Sequence, residues 1–524
     1  MSRESNRANI DTLASAAQKH AVARDFEQAI SCYERALELS PENPDLLLQL
    51  SYMQSLAGHY RQAREYALRA SAGRNQSPEV VKELLARLRT FNEIPAMQAC
   101  IDRLLPMSRI SIPLLIAVAA QLAYVGLPEK AISFLDEARR ADPDYPATLL
   151  SRAHVLIYLG RFAEAGEDLS RVLRRAPQLA QGYWLQSQLR RQTVDDNHVD
   201  QIVAQLRAPQ RSSQDTALLA FALHKELDDL RRYDEAWGAL ERGCSAKRSS
   251  LRYDATQTAR LFDGLFAFHP SSARAHTAEA SGAAPIFILG MHRSGTTLLE
   301  QLLDGHTEVS GLGELYDFTS TMRYATDHHC AGVIDPRIVE RAVNADLAGA
   351  GKRYLDGVSW RLGNERFFID KLPSNFLNLG FICEALPQAR ILHMVRDPLE
   401  TCFSNLRELF SEANQYSYDQ IELADFFSQY RKLMAHWHAM FPGRILDVDY
   451  RKLTLDPESE IRRVCDFVGL PFEPAMLDLR ARARGVVTAS AVQVRDRIHV
   501  QETPKWAAYA DQLAPLRQRL DQAG

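Results

Sequence analysis

Small and apolar residues recur along the first third of the chain at a constant phase. Steps of thirty-four from Ala29 meet Ala63, Met97, Ala131 and Ala165. The same step from Ala36 meets Ala70, Leu104, Ala138 and Val172, and from Ala17 it meets Ser51, Leu85, Ala119 and Ala153. Five units thus stay in register without an insertion. Pro41, Pro143 and Pro177 close three of them, Gly58, Gly126 and Gly160 mark a turn inside the unit, and Phe26, Tyr60 and Phe162 follow that turn. Two antiparallel helices approach closely only where small side chains sit at their crossing, and a ring then fills the space between successive pairs. The pattern predicts a stack of helix pairs.

This period resembles the tetratricopeptide repeat, in RDFEQAISCYERALELSPEN and again in LPEKAISFLDEARRADPDYP. A further copy at RRYDEAWGALERG puts Ala236 at the first alanine position, and Ala180 to Arg211 reads as an irregular continuation. The resemblance implies an α-solenoid over 10–180 and degenerate helical repeats over 181–268. A solenoid's concave face takes an extended peptide or another subunit. The expected partners are a protein or peptide acceptor, or a second copy through self-association.

His269 to Ala284 reads HPSSARAHTAEASGAA, small and polar without an apolar period, and is expected to be a linker, 269–284. Beyond it the pattern changes. Short apolar runs, PIFIL (Pro285–Leu289), RFFI (Arg366–Ile369), RILHMV (Arg390–Val395) and RILDV (Arg444–Val448), alternate with helical stretches. Buried strands separated by helices predict a P-loop-like α/β domain with a parallel sheet over 285–524. In such sheets ligands bind beyond the carboxyl ends of the strands.

Two motifs stand at those ends. After PIFIL comes Gly290-Met-His-Arg293-Ser294-Gly295-Thr296-Thr297, the frame of a phosphate loop with threonine in place of its lysine. Backbone N–H groups and the following helix N-terminus make an anion cradle, with Arg293 as its cation. The missing lysine argues against a nucleoside triphosphate and therefore against a P-loop kinase. After RILHMV comes Arg396-Asp397-Pro398, where Asp397 can cap the next helix with Pro398 at its first position. Ser404 lies about two helical turns past Asp397. Arg396 and Ser404 can then converge on a second phosphate.

Together the two elements resemble the sulfotransferase family, and within it the tyrosylprotein sulfotransferase branch and bacterial proteins that join such a domain to repeats. The resemblance runs from about Pro285 to Leu516. It implies 3′-phosphoadenosine-5′-phosphosulfate (PAPS) as donor, with the first loop on the 5′-phosphosulfate and Arg396 and Ser404 on the 3′-phosphate. LLDGHTEVSGLGEL puts Glu314 where that branch has its general base, and IDKLPSNF puts Lys371 at its catalytic lysine, although Leu372 replaces an acidic neighbour. Tyr450 in DVDYRKL matches a nucleotide contact. TASAVQVRDRIHVQETPKW resembles the loop that closes over the nucleotide, which implies Ser490, Arg495 and Lys505 as contacts. VRDRI lacks the expected proline, so Arg497 competes with Arg495 for that place.

The chemistry is consistent with those residue types. Sulfuryl transfer to a hydroxyl requires a base for the acceptor proton, cations for the leaving phosphate, and in-line geometry. Glu314 is the candidate base, and Arg293 and Lys371 are the candidate stabilisers. A protein tyrosine, a sugar hydroxyl and a small metabolite all suit the same donor site. A repeat scaffold with an inactive nucleotide-binding domain is the competing reading, which the intact motif residues oppose. His306, His328, His329 and His393 read as core or surface histidines, and the HWHAM cluster around Trp437 as a helix packing face.

Composition narrows the partners further. Lys plus Arg is 62 against 66 for Asp plus Glu, which excludes a bulk polyanion binder, so no nucleic acid is expected. The 7 cysteines form no CxxC pair, which points to a reducing compartment and to no metal. The polar N-terminus carries no signal-peptide core, and no run of about 18 apolar residues occurs, so the expectation is a cytoplasmic chain without a membrane span.

Overall fold

The thirty-four-residue phase becomes pairs of antiparallel helices. The computed structural model describes residues 3–73, 77–270, 282–479 and 503–523. Phe26–Leu39 stops just ahead of Pro41, and Asn43 then caps Pro44–Ala57 by accepting from the Asp45 and Leu46 N–H groups. Gly58 ends that helix at φ +90, a left-handed turn that costs glycine nothing. All five residues of the first alanine series, Ala29, Ala63, Met97, Ala131 and Ala165, are buried completely. Leu104 alone leaves its series half-buried, because the helix of that unit, Ile94–Asp102, ends before reaching it. The irregular stretch after Ala180 forms two short helices, Ala180–Gln188 and Val199–Arg207.

Five strands form one parallel sheet: β1 (Ala284–Gly290), β2 (Val309–Gly311), β3 (Phe367–Asp370), β4 (Arg390–Val395) and β5 (Ile445–Asp449). Their order is β2-β3-β1-β4-β5. The four apolar runs are strands as expected. The edge strand β2, with the sequence VSG, is too short and too polar to register as a run. Because β1 lies between β3 and β4, the chain reverses direction of winding at its carboxyl end, where a crevice opens. Ile286, Ile288, Leu299, Leu302, Ile369, Leu392, Val448 and Ile461 form a core beneath that crevice.

The chain divides into two compact units. One comprises Met1–Ala141 with Tyr316–Trp360. In it Ser320 bridges the repeats, its Oγ 3.2 Å from Tyr60 Oη and donating to Phe91 O at 2.9 Å, while Arg353 covers the Tyr324 ring at 3.7 Å. The other comprises Asp142–Leu315 with Arg361–Gly524, so the later helices share a unit with the sheet. Phe262 meets Phe426 edge-on at 5.6 Å, and Phe268 meets Phe381 at 4.8 Å and Trp437 at 6.0 Å. Arg248 forks onto Glu422 at 2.7 and 2.9 Å. Among the described residues no helix is long and apolar enough to cross a membrane, and all seven cysteines are unpaired and buried.

These contacts make the later helices part of the sheet's own core. Phe262→Ala should lower the stability of the unfolding transition that includes the sheet by about 3–5 kcal/mol. A chain beginning at Ala284 should be recovered as aggregate. Chemical denaturation and soluble yield check both, and a soluble, cooperatively melting chain from Ala284 would contradict the shared core.

Candidate active site

The loop after β1 is shaped by two glycines and one strained arginine. Gly290 has φ +146, and a Cβ there would stand 2.7 Å from Met394 O. Gly295 has φ +109, and its Cβ would overlap the Tyr450 ring. Arg293 takes φ +66, uncommon for any residue other than glycine. The helix Thr296–Leu303 then starts from Gly295 with no side-chain cap on its N-terminus. Ser294 is buried, and its Oγ has no hydrogen-bond partner among the described residues. Uncapped N–H groups, an orphaned buried hydroxyl and a backbone that admits no Cβ fit a bound anion.

One corner of the site is cationic. Asp397 accepts from the Glu400 N–H and Pro398 opens the helix Pro398–Leu406, the cap its sequence predicts. Arg396 donates to Glu400 Oε2 at 3.0 Å and to Arg293 O at 3.3 Å, and its guanidinium lies 4.3 Å from the Tyr450 ring centroid. Arg293 donates in turn to Ser404 Oγ at 3.3 Å and faces Glu408 Oε2 at 3.5 Å. Arg293, Arg396, Ser404, Gly295 and Tyr450 are thus brought together. Glu408 is held above the usual carboxylate range by burial, against the pull of Arg293 and Arg407.

A second cluster holds the candidate base. Lys371, at the end of β3, is 0% exposed and donates to Glu314 Oε1 at 2.7 Å, with Glu300 Oε2 at 4.0 Å. The turn carrying Glu314 is fastened on every side. Gly313 N–H donates to Glu300 Oε1 at 2.9 Å, Gly313 O accepts from Lys371 N at 3.0 Å, and Leu312 N–H donates to Ile369 O at 3.0 Å. Glu300 was not singled out in the sequence, although a buried charge in the apolar run LLEQLL was a readable signal.

His292 was also missed. It sits in the phosphate loop, half-buried, with Nδ1 closed off and without a partner among the described residues and Nε2 3.4 Å from Ser374 Oγ. Burial lowers its pKa to about 4; Glu314 opposes the shift, and Lys371 and Arg293 add to it. His306, by contrast, is committed to a turn, with Nε2 on Pro471 O at 2.9 Å and Nδ1 accepting from Glu308 N at 3.0 Å. His393 lies inside β4, and His328 pairs with Asp335.

Two more elements reach this region. Tyr158 ends the repeat helix Pro146–Tyr158, and burial, with the charge of Glu314, raises its hydroxyl to about 12. His154 packs on it with ring centroids 4.8 Å apart. Lys505 is exposed, yet the charge of Arg407, with burial second, lowers it to about 8. Arg407 itself donates to Asp228 Oδ2 at 3.0 Å, and Tyr509 Oη donates to Asp228 Oδ1 at 2.6 Å. Ser490, Arg495 and Arg497 lie outside the described residues.

The sulfotransferase family's sequence profile matches residues 285–474, and the tetratricopeptide-repeat profile matches 23–88. The chain therefore joins a tetratricopeptide-repeat region to a domain of the sulfotransferase family. It is 30% identical to an uncharacterized protein of Aquifex aeolicus over 74% of its own length and 52% of that protein. It is 26% identical to protein-tyrosine sulfotransferase 1 of Danio rerio over 42% of its length and 65% of that protein. It shares 26% with an omega-hydroxy-beta-dihydromenaquinone-9 sulfotransferase of Mycobacterium tuberculosis over 36% of its length and 63% of that protein. The chain thus spans between half and two thirds of these relatives.

Lys505 gives the site a pH signature. At pH 8 it is about half protonated when free, since its pKa is near 8. An anion beside it restores the ammonium form, so a phosphate ligand bound there should take up a fraction of a proton at pH 8 and almost none at pH 6.5. Calorimetry in buffers of different ionisation heat reads that uptake. Lys505→Met should abolish it, and high salt should shrink it, because the shift arises from charge repulsion.

Proposed function

We propose that this chain transfers a sulfuryl group from PAPS to a hydroxyl acceptor by in-line displacement, with Glu314 as the general base. The observation that carries this reading is a buried Lys371 paired with a half-buried Glu314, in the same unit as a phosphate loop that has no lysine. PAPS supplies the sulfuryl group and leaves as adenosine 3′,5′-bisphosphate. Ser294, Gly295, Thr296 and Thr297 cradle the 5′ end, while Arg396 and Ser404 read the 3′-phosphate and Tyr450 supports the nucleotide. Ser490, Arg495 and Lys505 complete the set assigned to the nucleotide.

The acceptor oxygen forms its bond to sulfur as the bond to the 5′-phosphate breaks, and its proton passes to Glu314. Lys371 neutralises charge developing on the sulfuryl oxygens, and Arg293 that on the phosphate. Lys371 is dry, which strengthens its effect on nearby charge. A protein or peptide tyrosine is the proposed acceptor. Names among the relatives support it, as does the placing of Tyr158, from a repeat helix, within reach of Glu314's field. The repeats over 10–180, continued by 181–268 and joined through 269–284 to the catalytic residues of 285–524, would present that acceptor. Seven unpaired cysteines favour a reducing, cytoplasmic setting.

Labelled PAPS against labelled ATP separates this chemistry from phosphoryl transfer. Glu314→Gln keeps the shape and removes the basicity. It should lower turnover by about 10²–10⁴ while bisphosphate binding stays within about twofold. Near-normal turnover at saturating donor would remove Glu314 from the role of base.

The donor assignment is tested separately. Adenosine 3′,5′-bisphosphate should raise the melting temperature well beyond AMP. Arg396→Ala should remove about 1.5–3 kcal/mol of that preference, roughly ten- to a hundredfold in affinity. Equal stabilisation by the two nucleotides would refute the 3′-phosphate site.

A further inference from the structure

Two histidines and an aspartate converge behind the nucleotide corner without any part in the chemistry above. Parallel register sets His393 of β4 beside Asp447 of β5. His438 comes from the last turn of the helix Gln420–Met440, in the HWHAM segment whose sequence reads as packing. Trp437 does pack, 0% exposed, and that turns its neighbour His438 outward. His393 Nδ1 lies 2.7 Å from Asp447 Oδ1, and His438 Nε2 lies 2.8 Å from the same oxygen. The three donor atoms all fall within 4.8 Å of one another.

We propose that His393, His438 and Asp447 form a divalent transition-metal site, with Zn²⁺ as the fitting ion. Imidazole nitrogen with carboxylate oxygen is a donor set that zinc takes, and three protein ligands leave one position for water. The buried partner is already oriented, since His393 Nε2 is hydrogen-bonded to Tyr430 Oη. A second hydrogen bond on the far ring nitrogen is what fixes a metal-ligating histidine. Zinc at ordinary bond lengths separates its ligand atoms by about 3.3 Å, so the present 2.7 and 2.8 Å spacings must open slightly. The exposed Asp447 carboxylate can swing to do so, while its backbone stays held by Arg463, which donates to Asp447 O at 2.6 Å.

The site's position gives it a consequence. His393 stands just ahead of Arg396 on β4, and Asp447 just ahead of Tyr450 at the end of β5. One ion would tie both strands and the helix behind the Arg396–Tyr450 stack to a single point.

The test uses the full chain, freed of metal with a chelator and titrated with Zn²⁺ alone. Calorimetry should show one saturable site with a dissociation constant of about 10 µM or tighter, and melting should move upward as it fills. His438→Ala, a change at a half-buried side chain that leaves the buried His393 in place, should weaken the site by about tenfold or more, as should Asp447→Asn. Both variants should keep adenosine bisphosphate binding, which separates loss of the metal site from loss of the fold. No saturable binding below about 1 mM, or wild-type affinity in His438→Ala, would overturn the site and leave the triad a hydrogen-bonded clasp.

Discussion

A wholly buried ammonium group dictates the layout around Glu314. Removing the Lys371 charge from water costs several kcal/mol, and only well-placed carboxylates offset it. Glu314 at 2.7 Å and Glu300 at 4.0 Å supply them, from two different elements. Glu300 also holds the Gly313 N–H, so the helix leaving the phosphate loop, the turn before Glu314 and the end of β3 are bound into one block. The distance between the anion cradle and Glu314 is therefore set by packing, not by a free loop. Two glycines flanking Leu312 give the chain the freedom to fold into that block, and the hydrogen bonds then remove the freedom.

The nucleotide corner is organised by close approach instead of burial. Tyr450 occupies the space where a side chain on residue 295 would stand, and its other face carries the Arg396 guanidinium. Glycine at 295 is thus required twice, for its positive φ and for the ring beside it. Because Arg396 also donates to Arg293 O, the arginine of the second motif steadies the strained residue of the first. The loop after β1 and the helix after β4 are neighbours in the sheet order, which is how motifs so distant in sequence share one anion site.

Much of this was legible in the residues. Repeat phase, the four longer strands and the Asp397 cap all follow from spacing and residue type. The rest depended on tertiary contact. β2 is three residues of polar strand and carries no apolar signal. His292 carries no signal in the loop's residue pattern, because its surroundings, two cations and a carboxylate, exist only after folding. The pairing of His393 with Asp447 depends on β4–β5 register, and no local pattern announces register between parallel strands so far apart.

Three cations of the site already have a carboxylate: Arg293 has Glu408, Arg396 has Glu400 and Lys371 has Glu314. Such pairing lets positive charge stand ready in a partly dry crevice without a ligand. An arriving phosphate must then compete with a carboxylate, and it wins only where backbone N–H groups add to the cation's pull, as at the loop and its helix N-terminus. Burial pushes Glu408 toward its neutral form, against the pull of Arg293 and Arg407. That eases the transfer of Arg293 to an incoming anion. His292 beside it stays neutral down to about pH 4, so it adds no charge of its own to the cradle. A loop that offers one arginine and a neutral histidine, and no lysine of its own, has little positive charge to set against a triphosphate.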